Sequence, residues 1–462
     1  MNNQSASNKL GTENTGSLLR QFAIPSIIAM LVSSLYNIVD QFFIGQAVGS
    51  LGNAATNIAF PLSISCVAIA LLFGIGGASA FNISMGRGEK EEACGYMGCA
   101  IVLMLACGVC LSLFTQILLT PILKFFGSPA DVLPLAETYT RITSLGFPFL
   151  IFQTGGGGHL VRADGRPRTT MLINMTGALI NTVLDALFVF GFGWGIAGAA
   201  AATVIGQVIA FILSVRCLAH CKSVTLARRH LRVVRDKALW IISLGTAPCT
   251  NQLAMMCVQI VMNNSLKYYG AMSAYGESIP IACAGIISKV NMLFMSFIIG
   301  ISQGLQPITS FNFGAQKYDR VKSAYLKAVG AGAILAVTAF ALFQIFPRQI
   351  ISFFGKGNSE YYRFAVNYFH IFLFFTFLNF IQPITSNFFT SIAKPRIGTF
   401  LSLTRQIIFL LPLILIFPLF MGIDGIMFAG PAADLAAALT AVVLVIREFR
   451  KPEYHSSSGS PS

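Results

Sequence analysis

GRPRTTMLINMTGALINTVLDALFVFGF, residues 165–192, opens on a basic turn, and from Thr169 onward its sole ionisable side chain is Asp185. A helix of about 20 apolar residues crosses the hydrocarbon of a bilayer, so the stretch reads as a membrane span. Asn174, Asn181 and Asp185 are seven and four residues apart, which puts them on one helical face. A charge at mid-membrane costs roughly 2.5–3.5 kcal/mol on insertion scales, so this acid needs a task or a partner. The opening turn also returns: Gly165-Arg166-Pro167-Arg168 is matched 228 residues later by Ala393-Lys394-Pro395-Arg396.

The rest of the chain has the same character. Of 462 residues, 55% are hydrophobic and 10% charged, where soluble domains carry about 25% charged residues. Mean hydropathy is +0.72. So few charges cannot cover a water-soluble protein of this size, which excludes a soluble enzyme, a nucleic-acid binder and a secreted disulfide scaffold. Twelve apolar runs follow one another, at roughly 18–44, 54–83, 94–119, 134–157, 169–192, 195–219, 239–266, 278–306, 323–346, 362–389, 397–420 and 425–446. The expected fold is all-α and polytopic, with twelve transmembrane helices. The net charge of +14 resembles a nucleic-acid signature until the basic residues are placed. On alternate sides of twelve spans, 23 of the 31 Lys and Arg fall with the termini, and only Lys124, Lys267, Arg348, Lys356 and Arg363 fall opposite. The positive-inside rule then makes both termini cytoplasmic.

A second repeated element supports an internal duplication. Gly86 in Met85-Gly86-Arg87-Gly88-Glu89-Lys90 precedes Gly314 in Phe313-Gly314-Ala315-Gln316-Lys317 by the same 228 residues, and Pro25 has a counterpart in Pro248. Two six-helix repeats of equal orientation follow, an architecture that places a transporter's substrate between its halves. The expected organisation is a polar cytoplasmic N-terminus (1–17), a first bundle (18–219), a basic connector (220–238), a second bundle (239–446) and a polar tail (447–462) expected to be disordered. The first 17 residues lack the layout of a cleaved signal peptide.

Three acids lie deep in apolar runs: Asp40, Asp185 and Asp434. Ser33, Tyr36 and Asn37 precede Asp40 at helical spacing, and Thr203 and Gln207 are four apart in the sixth run. Interhelical hydrogen bonding, at about 0.6 kcal/mol per contact, accounts for Asn174, Thr203 and Gln207 but poorly for two carboxylates. Asp434 is expected to be solvated at an interface or to have a structural partner, and Arg141, Lys289 and Arg405 to snorkel or pair. The ten cysteines fall almost wholly in apolar runs; Cys107 and Cys110 have redox spacing but no charged neighbours. Cys217, His220 and Cys221 offer three metal ligands without a fourth. His159 and His370 are isolated.

SLYNIVDQFFIGQAVG (34–49), LVRADGRPRTTM (160–171) and GLQPITSFNFGAQKYDR (304–320) resemble the multidrug and toxic compound extrusion (MATE) family, most of all its MepA-like bacterial branch. The resemblance implies a V-shaped pair of bundles in a bacterial plasma membrane. It implies export of lipophilic, often cationic compounds by alternating access, in exchange for inward Na⁺ or H⁺. Asp40, Asn181, Asp185 and Thr203 match the positions that surround the coupling cation in members with an amino-terminal site. Members that place acids in helices 7 and 10 of the second half are not matched here: neutral Asn263 stands opposite Asp40, and no acid lies between Tyr361 and Phe389.

The residues themselves fit that role. Two carboxylates, an amide carbonyl and a hydroxyl are hard oxygen ligands, suited to Na⁺ or a proton and unsuited to zinc. Tyr36, Asn37 and Gln207 form the supporting polar stripe. Pro25 removes a helix hydrogen bond below Asp40, which marks a hinge. Cation binding would neutralise the pair, repack helix 1 and weaken drug binding in a Phe- and Met-lined cavity. No cofactor is expected, the partners are the small-molecule substrate and the bilayer, and the chain is expected to act as a monomer. A lipid-linked oligosaccharide flippase is the alternative, but it should line its cavity with basic residues for a pyrophosphate. A membrane-embedded enzyme would need a clustered nucleophile or base at the interface, and no such motif is present.

Overall fold

The computed structural model describes residues 5–273, 278–354 and 359–454, and among them no strand occurs. The spans are α1 (Thr15–Val48), α2 (Ser50–Gly86), α3 (Lys90–Ile117), α4 (133–163), α5 (Pro167–Gly191), α6 (Gly195–Ala219), α7 (Arg235–Ala271), α8 (Ser278–Gly314), α9 (Tyr318–Ile345), α10 (359–391), α11 (Pro395–Met421) and α12 (Ile423–Phe449). Most run several residues past their apolar runs at either end. Arg235 to Ala238 therefore belong to α7 rather than to the connector, and Ser5–Thr12 forms a short helix ahead of α1. Lys356 and the tail from 455 onward lie outside the described residues.

Two spans are discontinuous. In α4, Leu133–Leu145 and Phe147–Ile151 meet at Gly146, and a π-helical turn, Phe152–Gly156, leads into Gly157–Ala163. In α10, Ser359–Phe372 and Ile381–Ser391 are separated by a 3₁₀ turn, Thr376–Leu378. The breaks recur in both halves, as do short helices ahead of them, Leu119–Phe125 and Pro347–Phe354.

The turns after α2, α4, α8 and α10 carry the repeat down to single residues. Each helix closes with a 6→1 backbone bond: Glu89 N–H to Ser84 O, Arg166 N–H to Val161 O, Lys317 N–H to Asn312 O and Lys394 N–H to Phe389 O. The residue before each donor is left-handed: Gly88 (φ 82°), Gly165 (φ 81°), Gln316 (φ 58°) and Ala393 (φ 58°). The duplicated turn geometry has outlived the glycine in the second half.

The halves meet along α1 against α8 and α2 against α7 and α8. Backbones touch there: a Cβ on Gly245 of α7 would collide with Leu72 O of α2, and one on Gly314 of α8 with Ile83 O. Gln306 of α8 donates to Ser79 Oγ (2.9 Å) and Ile75 O (3.3 Å) of α2, and the Ser34 and Ser296 hydroxyls pair at 2.7 Å.

Both described chain ends, the connector and the loops after α2, α4, α8 and α10 gather at one basic end. There Asn312 and Arg320 donate to Leu10 O, Tyr454 stacks on Tyr318, and Lys451 pairs with Glu448 at 2.8 Å. Asp164 fastens the connector, accepting from the Lys222 and Ser223 amides and pairing with Arg166 at 2.6 Å. His230 caps the arrangement: its Nδ1 accepts from Ala227 N, so its Nε2–H donates to Glu91 at 2.9 Å.

Candidate functional site

α1 and α6 flank α5, so the polar faces of three helices converge in the first half. Asn181 Nδ2 donates to Thr203 Oγ1 at 3.2 Å. The Asp40 and Asp185 side chains lie beside one another, and Tyr36 lies beside Thr203. Asp185 is fully buried, and Asn181 is 2% exposed. Four oxygens at this point are buried without a hydrogen-bond partner: Asp40 Oδ1, both carboxyl oxygens of Asp185 and Asn181 Oδ1. Buried acceptors left unpaired are costly, and every one of these is a hard oxygen atom. Such a set of hard oxygens could take a proton or a small alkali cation. No Lys, Arg or His is among the groups bearing on either carboxylate.

Of the residues expected to support this cluster, Tyr36 joins it and two do not. Asn37 is exposed and its amide donates to Ser33 O. Three residues before Asp40 lie about 60° off its helical face, whereas the four residues to Tyr36 lie about 40° off on the other side, towards Thr203. Gln207 Oε1 is buried and unpartnered but approaches Gly146, at the break in α4. Pro25 lies within a continuous α1, where Ser26 Oγ donates to Phe22 O at 2.8 Å. Tyr139 of α4 is an addition: its side chain lies within electrostatic reach of Asp40, Tyr36 and Asp185. It lies in the fourth apolar run, in Glu-Thr-Tyr-Thr-Arg, and nothing in the sequence marks it as facing the acids.

Among the described residues the second half has no equivalent. By the 228-residue offset, Asn181, Asp185 and Thr203 correspond to Phe409, Leu413 and Pro431. Leu410, Ile414, Ala429 and Ala433 form a buried apolar cluster there, with Phe409 and Leu413 packed on it. Asn263 is exposed and accepts from Gln259. Asp434 is 3% exposed rather than interfacial, and has a structural partner: Arg405 Nε lies 2.6 Å from its Oδ1, and Asn379 donates to Oδ2 at 2.9 Å. Gly177 and Gly206, in close approach, hold the corresponding places in the first half.

The remaining candidates resolve into packing. Burial pushes the Cys221 thiol up to about 12, and its Sγ–H donates to Leu218 O, so it is no thiolate ligand. His220 Nδ1 faces Arg216 O, and His370 Nε2 faces Gln344 O. Among the described residues no group of three His, Cys, Asp or Glu is arranged for a metal. His159 is buried against Arg162.

Comparison with known proteins bears on the family and the fold. The MatE family model matches residues 25–187 and 252–416, one segment in each half. A FAD transporter of Shewanella oneidensis is 24% identical, the match covering 94% of each chain. The multidrug export protein MepA of Staphylococcus saprophyticus is 22% identical over 92% of each. A solved MOP superfamily transporter from Pyrococcus furiosus superposes with a TM-score of 0.88 at 21% identity, covering 96% of this chain and 98% of that one.

Proposed function

The chain belongs to the MatE family, and on that footing we propose that it is a secondary active exporter of lipophilic, often cationic compounds, driven by inward flow of Na⁺ or H⁺. The observation that carries this reading is the set of unpartnered oxygens of Asp40, Asn181 and Asp185. Two carboxylates side by side repel when both are bare, and one proton or Na⁺ between them removes the repulsion. Because Asp40 is on α1 and Asp185 on α5, loading draws the two helices together and unloading frees α1. That helix lies on α8 of the other half, so its movement bears directly on the seam. Pro25 gives α1 a place to bend 15 residues before Asp40.

The closed seam at the basic end, sealed by backbone contact and by Gln306, suits one state of an alternating-access cycle. With both termini cytoplasmic, that state is closed to the cytoplasm. The names of the relatives cover a flavin dinucleotide as well as drugs, so the fold accepts more than one class of cargo.

Proteoliposomes with Na⁺ and pH gradients imposed separately test the reading. Ethidium movement should follow one of the two gradients and collapse when an ionophore dissipates it. Movement at the same rate without either gradient would leave the coupling without support.

A further inference from the structure

Arg162, in the last segment of α4, is 3% exposed. Its Nη1 donates to Ser26 Oγ at 3.4 Å and its Nη2 to His159 Nδ1 at 3.2 Å, while its Nε is buried with no partner. The histidine accepts at Nδ1, so it is neutral and cannot balance the charge. Among the described residues the guanidinium forms no ion pair, unlike those of Arg166 and Arg405. Asp164, two residues on, is already taken up by Arg166 and the connector amides. Three largely covered cations elsewhere among the described residues are ion-paired: Arg166 with Asp164, Arg405 with Asp434 and Lys394 with Glu448. An unpaired buried charge is costly, and removing that cost takes an anion.

Its position says where the anion would come from. Ser26 is on α1, next to Pro25, and Gln306 of the opposite half lies beside the His159 ring. Gln306 is itself 3% exposed and bridges to α2 across the seam. Asn82 of α2 also has a buried, unpartnered Nδ2, and it lines a small cavity with Ala163 and Asp164, which follow Arg162 in sequence, and Phe311 of α8. Parting of the halves at the basic end withdraws α8 and leaves a guanidinium fork and an amide on the wall of the opened cleft. A planar guanidinium suits carboxylate and phosphate oxygens, which it holds through paired N–H donors.

We propose that Arg162 is the oxyanion-binding residue of the cavity open to the cytoplasm, so that the exporter takes amphiphilic carboxylates and phosphates as cargo alongside lipophilic cations. This rests on the export reading above. Anion binding there would pay for opening the seam, since the guanidinium gains in the open state the partner it lacks in the closed one.

Pyrenebutyrate and pyrenebutyl-trimethylammonium share an apolar body and differ in head charge. Their uptake is compared in phosphatidylcholine proteoliposomes, where no lipid anion competes, with the protein's cytoplasmic face outward. Wild type should move both, and Arg162→Gln should lower the carboxylate-to-ammonium ratio about tenfold or more, the worth of one charge-assisted hydrogen bond. Arg162→Lys should restore part of that ratio, since it keeps the charge without the fork. An unchanged ratio in Arg162→Gln, with both probes slowed alike, would make the residue a prop for α1 and overturn the proposal. So would a wild type that moves the ammonium and ignores the carboxylate. If wild type moves neither probe, the export reading is what fails, and fluorescence titration of the purified protein decides this one. Tighter pyrenebutyrate binding that Arg162→Gln abolishes would uphold it, and equal binding by both proteins would overturn it.

Discussion

Arg405 and Asp434 show how the bilayer treats a charge that has no transport task. The pair is buried, closed at 2.6 Å and completed by Asn379, so each partner is affordable only while the other is present. Breaking such a pair leaves a bare buried charge at a cost of about 3–5 kcal/mol, whereas replacing both partners by apolar groups is often neutral. Asp434→Ala should therefore lower the thermal stability of the purified protein sharply, and Asp434→Leu with Arg405→Leu should recover most of the loss. An Asp434→Ala protein as stable as wild type would contradict this. The same cost made Asp40 and Asp185 legible in the sequence, because an acid in an apolar run stands out. It also made Asp434 and Arg405 conspicuous, but not their pairing with each other, since they are 29 residues apart and only packing brings the two together. Tyr139 was illegible for the opposite reason, since a tyrosine costs little in a membrane interface and carries no signal of its own.

Elements were legible where their apolar pattern was long and uninterrupted. The twelve spans follow from hydropathy alone, but the break at Gly146 and the π turn at Phe152–Gly156 do not, because the run from 134 to 157 stays apolar across both. The turns after α2, α4, α8 and α10 have a cost that can be measured. A non-glycine residue held left-handed costs roughly 1–2 kcal/mol. Glycine gives back about 0.5–1 kcal/mol in chain entropy. Ala393→Gly and Gln316→Gly should each stabilise the protein by about 0.5–1 kcal/mol, and Gly88→Ala and Gly165→Ala should destabilise it. Denaturant or thermal unfolding of the four variants checks this, and a loss of stability in Ala393→Gly would contradict it. Within α1, Pro25→Ala restores a backbone bond without disturbing the Ser26 contact to Phe22. It should leave the protein folded while slowing export, and wild-type export rates would show that the proline does not act as a hinge.

At the scale of the whole molecule, the duplication was legible from four short turns and the 228-residue offset, but the function is not duplicated. The first half keeps an oxygen cluster, and the second fills the same place with Phe409, Leu413 and their neighbours. Which faces of the halves meet could not be read from the sequence, because the glycines at the seam resemble any others in apolar runs. The orientation in the membrane rests on the segregation of basic residues. A cysteine placed at exposed Thr225 in the connector should resist an impermeant thiol reagent in intact cells and react after lysis. Labelling in intact cells would reverse the topology. The central claim is that Asp40 and Asp185 form one coupling site that alone ties cation flow to export. Gradient-driven ethidium transport in proteoliposomes of wild type, Asp40→Asn, Asp185→Asn and the double variant tests it most directly. Each single change should abolish driven transport while dye binding survives, and the double variant should be hardly worse than either, since groups that act as a unit are not additive. Normal transport by Asp40→Asn, or by Asp185→Asn, would contradict the account.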